Sequence, residues 1–437
     1  MDSVEGTFMK EIGKKIYHKI PTCFRWLFWP VKMSFRFIDI SRLDLWIMSG
    51  EEITSHQKLS IAYAGAEIDR NYFTKIAYGN SFSEHYLGKV WIWKILKIVK
   101  EKGRNCSLMV IAVHKLLWRF FARTAYFSIP FWVWSSANIA FASSLLTKSN
   151  DVKNEIQKIR NRKLSFEVTR DRSQFDNFYY NMYRPYIAAA HGDRAIIVEY
   201  DYIKKKFKNS ELLLIKKEGE YIAGTLLVYR KRQGHPAYIG VKDGNFDYVK
   251  DGAIAATYLF LIRLFREKGY KELDLGLSRP FLKDGVLRYK KKWGGSRIAY
   301  SSLADGIFLL APLTNTLGLK AFLINNPFIF VDNMDKRKLN GAIFVDSNHP
   351  FPREELEKIH REYYFDGMSG LSIYQFGENT DRTEKILPLH FLNKIRLYSA
   401  ERLFQRHRGW FQEVRSTTRI TEDSGQELED AQVSKRR

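Results

Sequence analysis

Three lysines stand side by side in the run RYKKKWGG, framed by aromatic residues. Lys290, Lys291 and Lys292 follow Tyr289 and precede Trp293. An ammonium held between aromatic rings can neutralise a phosphate, or an oxyanion that develops as a carbonyl is attacked. The alternative is a solvated turn of a basic helix. Upstream, Asp274 lies in ELDLG, and a carboxylate on an otherwise apolar strand needs a partner or a task. It either accepts a proton from an attacking amine, with a pKa raised by burial, or serves as a structural salt bridge or loop cap. Ser278 and Arg279 fall where that strand ends. Arg279 either binds a substrate phosphate or is a surface arginine before Pro280. Asp243, Asn245 and Asp247 alternate in a loop that lacks the glycine and terminal glutamate of a calcium loop, so no metal site is assigned.

The elements that must position these residues run from Ala237 to Gly295. PAYIGVK (Pro236 to Lys242) reads as a strand, DGNFDYVKDG as a polar loop, and Ala253 to Lys268 as a helix. Ile254, Tyr258, Leu261, Ile262 and Phe265 share one helical face, with Asp251 as N-cap and Gly269 as a left-handed stop. ELDLG is the next strand and GVLRYKKKWGG a short basic helix with a sharp exit at Gly294-Gly295. Strand, helix, strand predicts a parallel pair joined by a right-handed crossover, with a site at the carboxyl ends of the strands. The free amides at the helix start, around Gly252 and Ala253, can hold an anion such as a cofactor pyrophosphate. Lys242 and Lys250 offset Asp243, Asp247 and Asp251 there, although an Asp251 cap would occupy the same amides. Tyr238, Asn245, Ser278, Arg279, Tyr289 and Trp293 make up the expected substrate-binding set.

ELDLGLS followed by RYKKKWGG resembles the FemAB-like branch of the GNAT acyltransferase superfamily, which shows an "lDlG" strand and then an "fK..WG" signature. Ile156 to Asp193 resembles the opening of the same domain. So does Glu211 to Arg230, a hairpin around Lys217-Glu218-Gly219-Glu220, while YFSIPFWVW (Tyr126 to Trp134) resembles the end of a preceding half-domain. The likeness spans Leu43 to Ser302. KDGNFDYVKDGA stands where ordinary GNAT enzymes carry the Q/R-x-x-G-x-G/A loop for acetyl-CoA. The resemblance implies tandem GNAT-like α/β domains with mixed central sheets. It implies transfer of an acyl group, acetyl among them, from acyl-CoA to an amine, without a metal. It matches Lys290 to the signature lysine and His191 to a position near the substrate cleft, where a satisfied structural histidine is the alternative. The implied acceptor is an amine on a phosphorylated or lipid-linked sugar or peptide of a cell-envelope polymer. Some relatives use aminoacyl-tRNA instead. A reading from another class is a non-catalytic protein docked by basic helices on acidic membrane or nucleic acid.

The chain has 437 residues and a formal charge of +23, so its surface attracts anions such as nucleotides, nucleic acid or acidic lipid. Two cysteines in no metal or disulfide spacing fit a reducing compartment. No Walker loop, G-x-S-x-G or H-E-x-x-H occurs, which leaves NTPase, hydrolase and zinc-peptidase readings unsupported. Residues 1–40 form a basic aromatic leader, with Phe8, Ile12, Ile16 and Ile20 spaced by four among lysines. Such a stretch lies on a membrane surface or packs on the body. Without a signal-peptide pattern, the chain is expected in the cytoplasm, peripherally on the inner face of the membrane. The uncharged run Thr124 to Leu146 is long enough to span a bilayer, but Pro130 and its serines favour a soluble segment with a buried strand. The expected divisions are a degenerate GNAT-like half (41–148), the acyltransferase domain (149–302), a strand–helix–strand extension (303–380), a basic helix (381–415, from Ile386 to Arg408) and a disordered tail from Ser416.

Overall fold

The computed structural model describes residues 37–404, apart from 104, 122–125, 193–194, 196, 231–232, 301–305, 333–337, 348–350 and 378–393. The expectations for the leader before Phe37, for most of 381–415 and for the tail lie outside the described residues.

The chain builds two sheets and crosses between them twice. It lays down β1 (Arg42–Glu51), β2 (Lys58–Ala64), β3 (Phe82–Trp91), β4 (Leu108–His114) and β5 (Phe127–Pro130) in the first sheet. It moves to the second for β6 (Val133–Asn138), β7 (Ser165–Thr169), β8 (Glu211–Lys217), β9 (Glu220–Tyr229), β10 (Gln233–Val241), β11 (Glu272–Ser278) and β12 (Arg297–Tyr300). It then returns for β13 (Gly306–Pro312), β14 (Phe328–Val331), β15 (Leu339–Asp346), β16 (Met368–Phe376) and β17 (Ile395–Ser399). The first sheet runs β17-β16-β15-β14-β5-β13-β4-β2-β1-β3 and the second β12-β6-β11-β10-β9-β8-β7. Both mix parallel and antiparallel neighbours, so the chain has the α/β class expected, with two mixed sheets in tandem.

Several local expectations change. YFSIPFWVW is not one strand. Pro130 closes β5 in the first sheet, and the chain turns through Phe131 and Trp132 into β6 of the second. The strand–helix–strand of 339–376 forms as read, with β15 and β16 parallel around helix Arg353–Tyr363, but its strands extend the sheet that holds β1 to β5. Ile395–Ser399 is a strand rather than part of a basic helix, because the free edge of β16 offers it a parallel ladder. Among the described residues no helix is long and apolar enough to cross a membrane, and the run to Leu146 resolves into β5, β6 and helix Ile139–Lys148.

The crossover between β10 and β11 follows the sequence closely. Helix Ala253–Glu267 ends in a Schellman turn: Tyr270 N–H reaches Phe265 O at 2.9 Å and Gly269 N–H reaches Arg266 O at 3.0 Å, with Gly269 at φ 74°. Its apolar surface is wider than one face. Ala255, Leu259, Phe260 and Leu264 are buried as well, because helices Ile139–Lys148 and Asn150–Asn161 belong to the same core as the sheet beneath. Its start is not capped by Asp251. That carboxylate turns to Lys217 (2.6 Å) and Arg162 (3.2 Å), and Gly252, at φ 100°, takes the cap position. The opposite face of the sheet is covered by the helical run 172–191, which contains a π-helical turn, Phe178–Tyr183.

Gly240 of β10 lies against that π turn. A Cβ there would stand 2.5 Å from Tyr183 N and 2.6 Å from Met182 C, both backbone atoms that cannot swing aside. Gly240→Ala is expected to lower stability by about 1–3 kcal/mol through overpacking alone. Urea denaturation with an unchanged slope checks this, and Gly219→Asn in the open β8–β9 turn, where a Cβ meets nothing within 4 Å, is the matched mild change.

Candidate functional site

β10 and β11 begin as a pair and then part. Their parallel register holds only at Gln233 with Glu272 and Gly234 with Leu273. Each strand carries an irregularity beyond that point. β10 slips against β9 between Ala237 and Gly240, with Tyr238 at φ 58°, and β11 slips against β6 between Asp274 and Gly276, with Gly276 at φ 73°. Bulges redirect strands and cluster beside sites. Asp274 fixes the second one. Its Oδ1 accepts from Gly276 N–H at 2.9 Å, and its Oδ2 faces Arg230 at 3.2 Å and His235 Nδ1 at 3.3 Å, with the side chain fully buried. These partners occupy the carboxylate that the sequence offered as a proton acceptor, and they match the salt-bridge and loop-cap alternative.

At the parted end of β11 the expected Lys290 and Ser278 meet. Helix Gly285–Lys292 starts at Asp284, which accepts from Val286 N–H and Leu287 N–H, both at 3.0 Å. Burial raises the Asp284 pKa against those bonds. Two turns on, Lys290 points inward and is only 5 % exposed. Its Nζ donates to Leu277 O at 2.7 Å and to Ser278 Oγ at 3.0 Å. No carboxylate lies within ion-pair distance of it among the described residues, and desolvation brings its pKa down to about 8, with Asp284 and Asp274 opposing. Burial lowers the Lys291 pKa to about 8 as well, so what distinguishes Lys290 is its place at the end of β11.

Its neighbours differ. Lys291 donates to Arg361 O, Glu362 O and Tyr364 O at 2.7–3.1 Å and so caps the end of helix Arg353–Tyr363, while Lys292 pairs with Glu155 at 2.8 Å. Tyr289 stands edge-on to Tyr258 at 5.3 Å, with Trp293 buried beside both, and burial raises both tyrosine pKa values.

Arg279 is not an exposed surface residue, and its Nη1 is buried without a hydrogen-bond partner among the described residues. It pairs with Asp69 at 2.8 Å and lies between the Trp132 ring (4.0 Å) and the Tyr72 ring (4.8 Å). Asp69 and Tyr72 come from helix Glu67–Tyr78 over the first sheet, so this contact ties the site to that sheet. Asp69, Tyr72, Trp132, Arg230 and His235 had no sequence signal. Asp69 lies 210 residues from Arg279 in sequence, and no spacing rule reaches that far.

The residues expected to hold a cofactor gather separately, after β10, together with Asn245 of the expected substrate set. Lys242 is bonded to Glu220, Lys250 pairs with Asp247 at 2.9 Å, and Asn245 accepts from Asp247 N–H at 2.8 Å as the cap of helix Phe246–Lys250. Ala253 is buried. With Asp251 turned away, the backbone N–H groups of Ala253, Ile254 and Ala255 find no acceptor among the described residues. His191 is the last residue of helix Arg184–His191, and the expectation for its side chain lies outside what is described.

Tyr238 lines an open cleft of about 620 Å³ with Lys205, Lys206, Arg230 and His235. Lys206 donates to Tyr238 Oη at 3.0 Å. This cleft lies on the first half of β10 and meets the parted strands through Arg230, His235 and Asp274.

No protein-family profile and no curated protein sequence matches this chain. Among solved structures it is similar to L-PGS from Bacillus licheniformis, at 12 % identity over 63 % of this chain and 87 % of that one, with a TM-score of 0.31. It is similar to FemX at 11 % identity over 61 % and 84 %, TM-score 0.32. It is also similar to a GCN5-related N-acetyltransferase-like protein from Streptococcus suis at 11 % identity over 62 % and 84 %, TM-score 0.24.

Arg279→Ala is expected to cost about 3–5 kcal/mol, since it strands the Asp69 carboxylate, whose side chain is only 10 % exposed. Arg279→Lys should recover little, because a lysine cannot stack flat between two rings. Denaturation midpoints of the two variants and of Asp69→Asn check this.

Proposed function

We propose that this chain is an acyltransferase of the GNAT type, which carries an acyl group from acyl-CoA to an amine at the parted ends of β10 and β11. The observation that carries this reading is the Lys290 ammonium: buried, unpaired by carboxylate, and held by Leu277 O and Ser278 Oγ where β11 ends. The amine nitrogen attacks the thioester carbonyl, and a C–N bond forms as negative charge gathers on the carbonyl oxygen. A fixed ammonium nearby stabilises that oxygen without reorganising. Collapse breaks the C–S bond, the thiolate leaves, and the proton lost by nitrogen neutralises it. Holding the two reactants together supplies much of the remaining acceleration. The unsatisfied amides of Ala253 to Ala255 suit a pyrophosphate, with Lys158 and Arg162 beside the same helix start. The acceptor we favour is an amine on a phosphorylated or lipid-linked precursor of a cell-envelope polymer, which suits a chain of charge +23.

One observation favours a second donor, aminoacyl-tRNA. The cleft beside Tyr238 is lined by Lys205, Lys206 and Arg230, and Tyr180 and Tyr202 nearby are about half exposed. Cations interleaved with open aromatic rings suit single-stranded nucleic acid. Calorimetric titration with acyl-CoA and with aminoacyl-tRNA separates the two. Binding of CoA that weakens in Lys158→Glu/Arg162→Glu supports the first donor. Binding of tRNA alone, with a steep salt slope that flattens in Lys205→Ala/Lys206→Ala, supports the second.

Lys290→Ala is expected to lower kcat/KM at least tenfold, about 1.4 kcal/mol or more of transition-state stabilisation, with the fold retained by circular dichroism. Lys292→Ala should change the rate far less. Because the ammonium is the acting form, wild-type kcat/KM should fall as pH rises through about 8, and that limb should vanish in Lys290→Ala. The attacking amine must itself be unprotonated and so adds a rising limb of its own; a wild-type rate whose climb through about pH 8 is lost in Lys290→Ala would make neutral Lys290 the acting form and overturn the oxyanion role.

A further inference from the structure

One end of the first sheet carries apolar side chains that the fold does not use. The register fixes which residues share that end. Gly88 of β3 lies opposite Leu45, Leu45 opposite Ala64, and Ala64 beside Ile111 of β4. Three residues further along each strand come Trp91, Arg42 and His114, so all three stand at the same level. Helix Ile95–Lys102 starts there, and helix Lys115–Phe121 begins there too, both with inward residues in the same core.

The outward residues are unusual. Trp93 is 53 % exposed, Leu116 51 % and Phe120 75 %, and Phe37 and Ile38, just before β1, are 51 % and 42 % exposed. Leu116 and Phe120 are four apart on one helix, opposite the buried Leu117 and Trp118. Trp93 stacks on Trp91 at 4.8 Å, and Arg42 lies over Trp91 at 5.5 Å. Exposed cations accompany these residues: Arg42, Lys94 and Lys115, with Lys89 within 3.9 Å of Asp44 and Lys97 within 4.0 Å of Glu101.

We propose that this end of the first sheet docks on an anionic phospholipid surface. Apolar side chains set apart by lysines form no continuous floor for a rigid partner. A fluid interface can take each where it stands, with aliphatic lysine stems lying along it and ammonium groups at phosphate level. Tryptophan favours that level. Charge complements as well, since each lysine near an acidic leaflet adds attraction that salt removes. The chain before Phe37, basic and aromatic in sequence, joins at the same end. The inference stands apart from the transfer reaction, because none of these residues belongs to the parted strands.

The test is co-sedimentation of the intact chain with vesicles of phosphatidylcholine alone and with about one third phosphatidylglycerol. The wild type should partition onto the acidic vesicles and be released by high salt. Trp93→Ser/Phe120→Ser should lose at least tenfold in partition while keeping the wild-type unfolding midpoint. Leu317→Ser is the control. Leu317 is 63 % exposed and follows the end of β13, which runs antiparallel to β4 and so finishes at the opposite end of the sheet. It should bind as wild type. Equal binding to neutral vesicles, no binding by the wild type, or full binding by the double variant would overturn the proposal. A double variant that changes only the self-association of the chain would also overturn it, and would make this face a contact between copies.

Discussion

The parting of β10 and β11 is the constraint on which the rest of the second sheet depends. Two adjacent parallel strands ordinarily share a ladder along their length, yet these share it through two residue pairs. The backbone groups freed by the bulges must be satisfied, or burial would make them costly. Asp274 takes Gly276 N–H, and Thr225 Oγ1 donates to Ala237 O at 3.1 Å. Arg230 and His235 then hold the Asp274 charge in place. Lys290 completes the arrangement by binding Leu277 O and Ser278 Oγ, so the last turn of helix Gly285–Lys292 is tied to the end of β11.

That end also belongs to the first sheet. Directly after Ser278, Arg279 reaches Asp69, Ile329 N–H donates to Pro280 O at 2.7 Å, Phe281 packs edge-on to Phe73 and Leu282 N–H donates to Pro327 O at 2.8 Å. Lys291 fastens the same helix to residues 361–364. The position of the Lys290 ammonium is therefore set by both sheets at once. Side chains whose rotamers are locked by contacts from two bodies hold a charge in place, which is what electrostatic stabilisation of a transition state requires. The same coupling means that loosening the Arg279 clamp should disturb Lys290 without touching it.

What the sequence made legible was local. The helix after β10 was readable from its apolar period and from Gly269, whose left-handed φ allows the Schellman turn. The turn at Glu218-Gly219, with φ 52° and 87°, was readable as a hairpin for the same reason. Lys290 could be separated from Lys291 and Lys292 only by motif position, and the structure supplies the physical difference: one faces the end of β11, one a helix terminus, one a carboxylate. What stayed hidden was everything that depends on distant partners. Asp251 looked like a helix cap until Lys217 and Arg162 were brought to it. Ile395 to Ser399 reads as helix in sequence because it sits within the spacing of Leu389, Leu392, Ile395, Arg396, Leu403 and Phe404, and only the edge of β16 decides otherwise. The return of β13 to β17 into the first sheet has no signature, since buried strands of either sheet have the same apolar composition.

Lys290 holds a desolvated charge at the parted end of β11. A direct measurement is an NMR titration of the chain carrying isotope-labelled lysine, with the Lys290 resonance assigned by its loss in Lys290→Arg. The Lys290 midpoint should stand at about 8, well below the ordinary lysine value. A Lys290 midpoint at the ordinary lysine value of about 10.4 would mean that its ammonium is solvated, and would contradict the account.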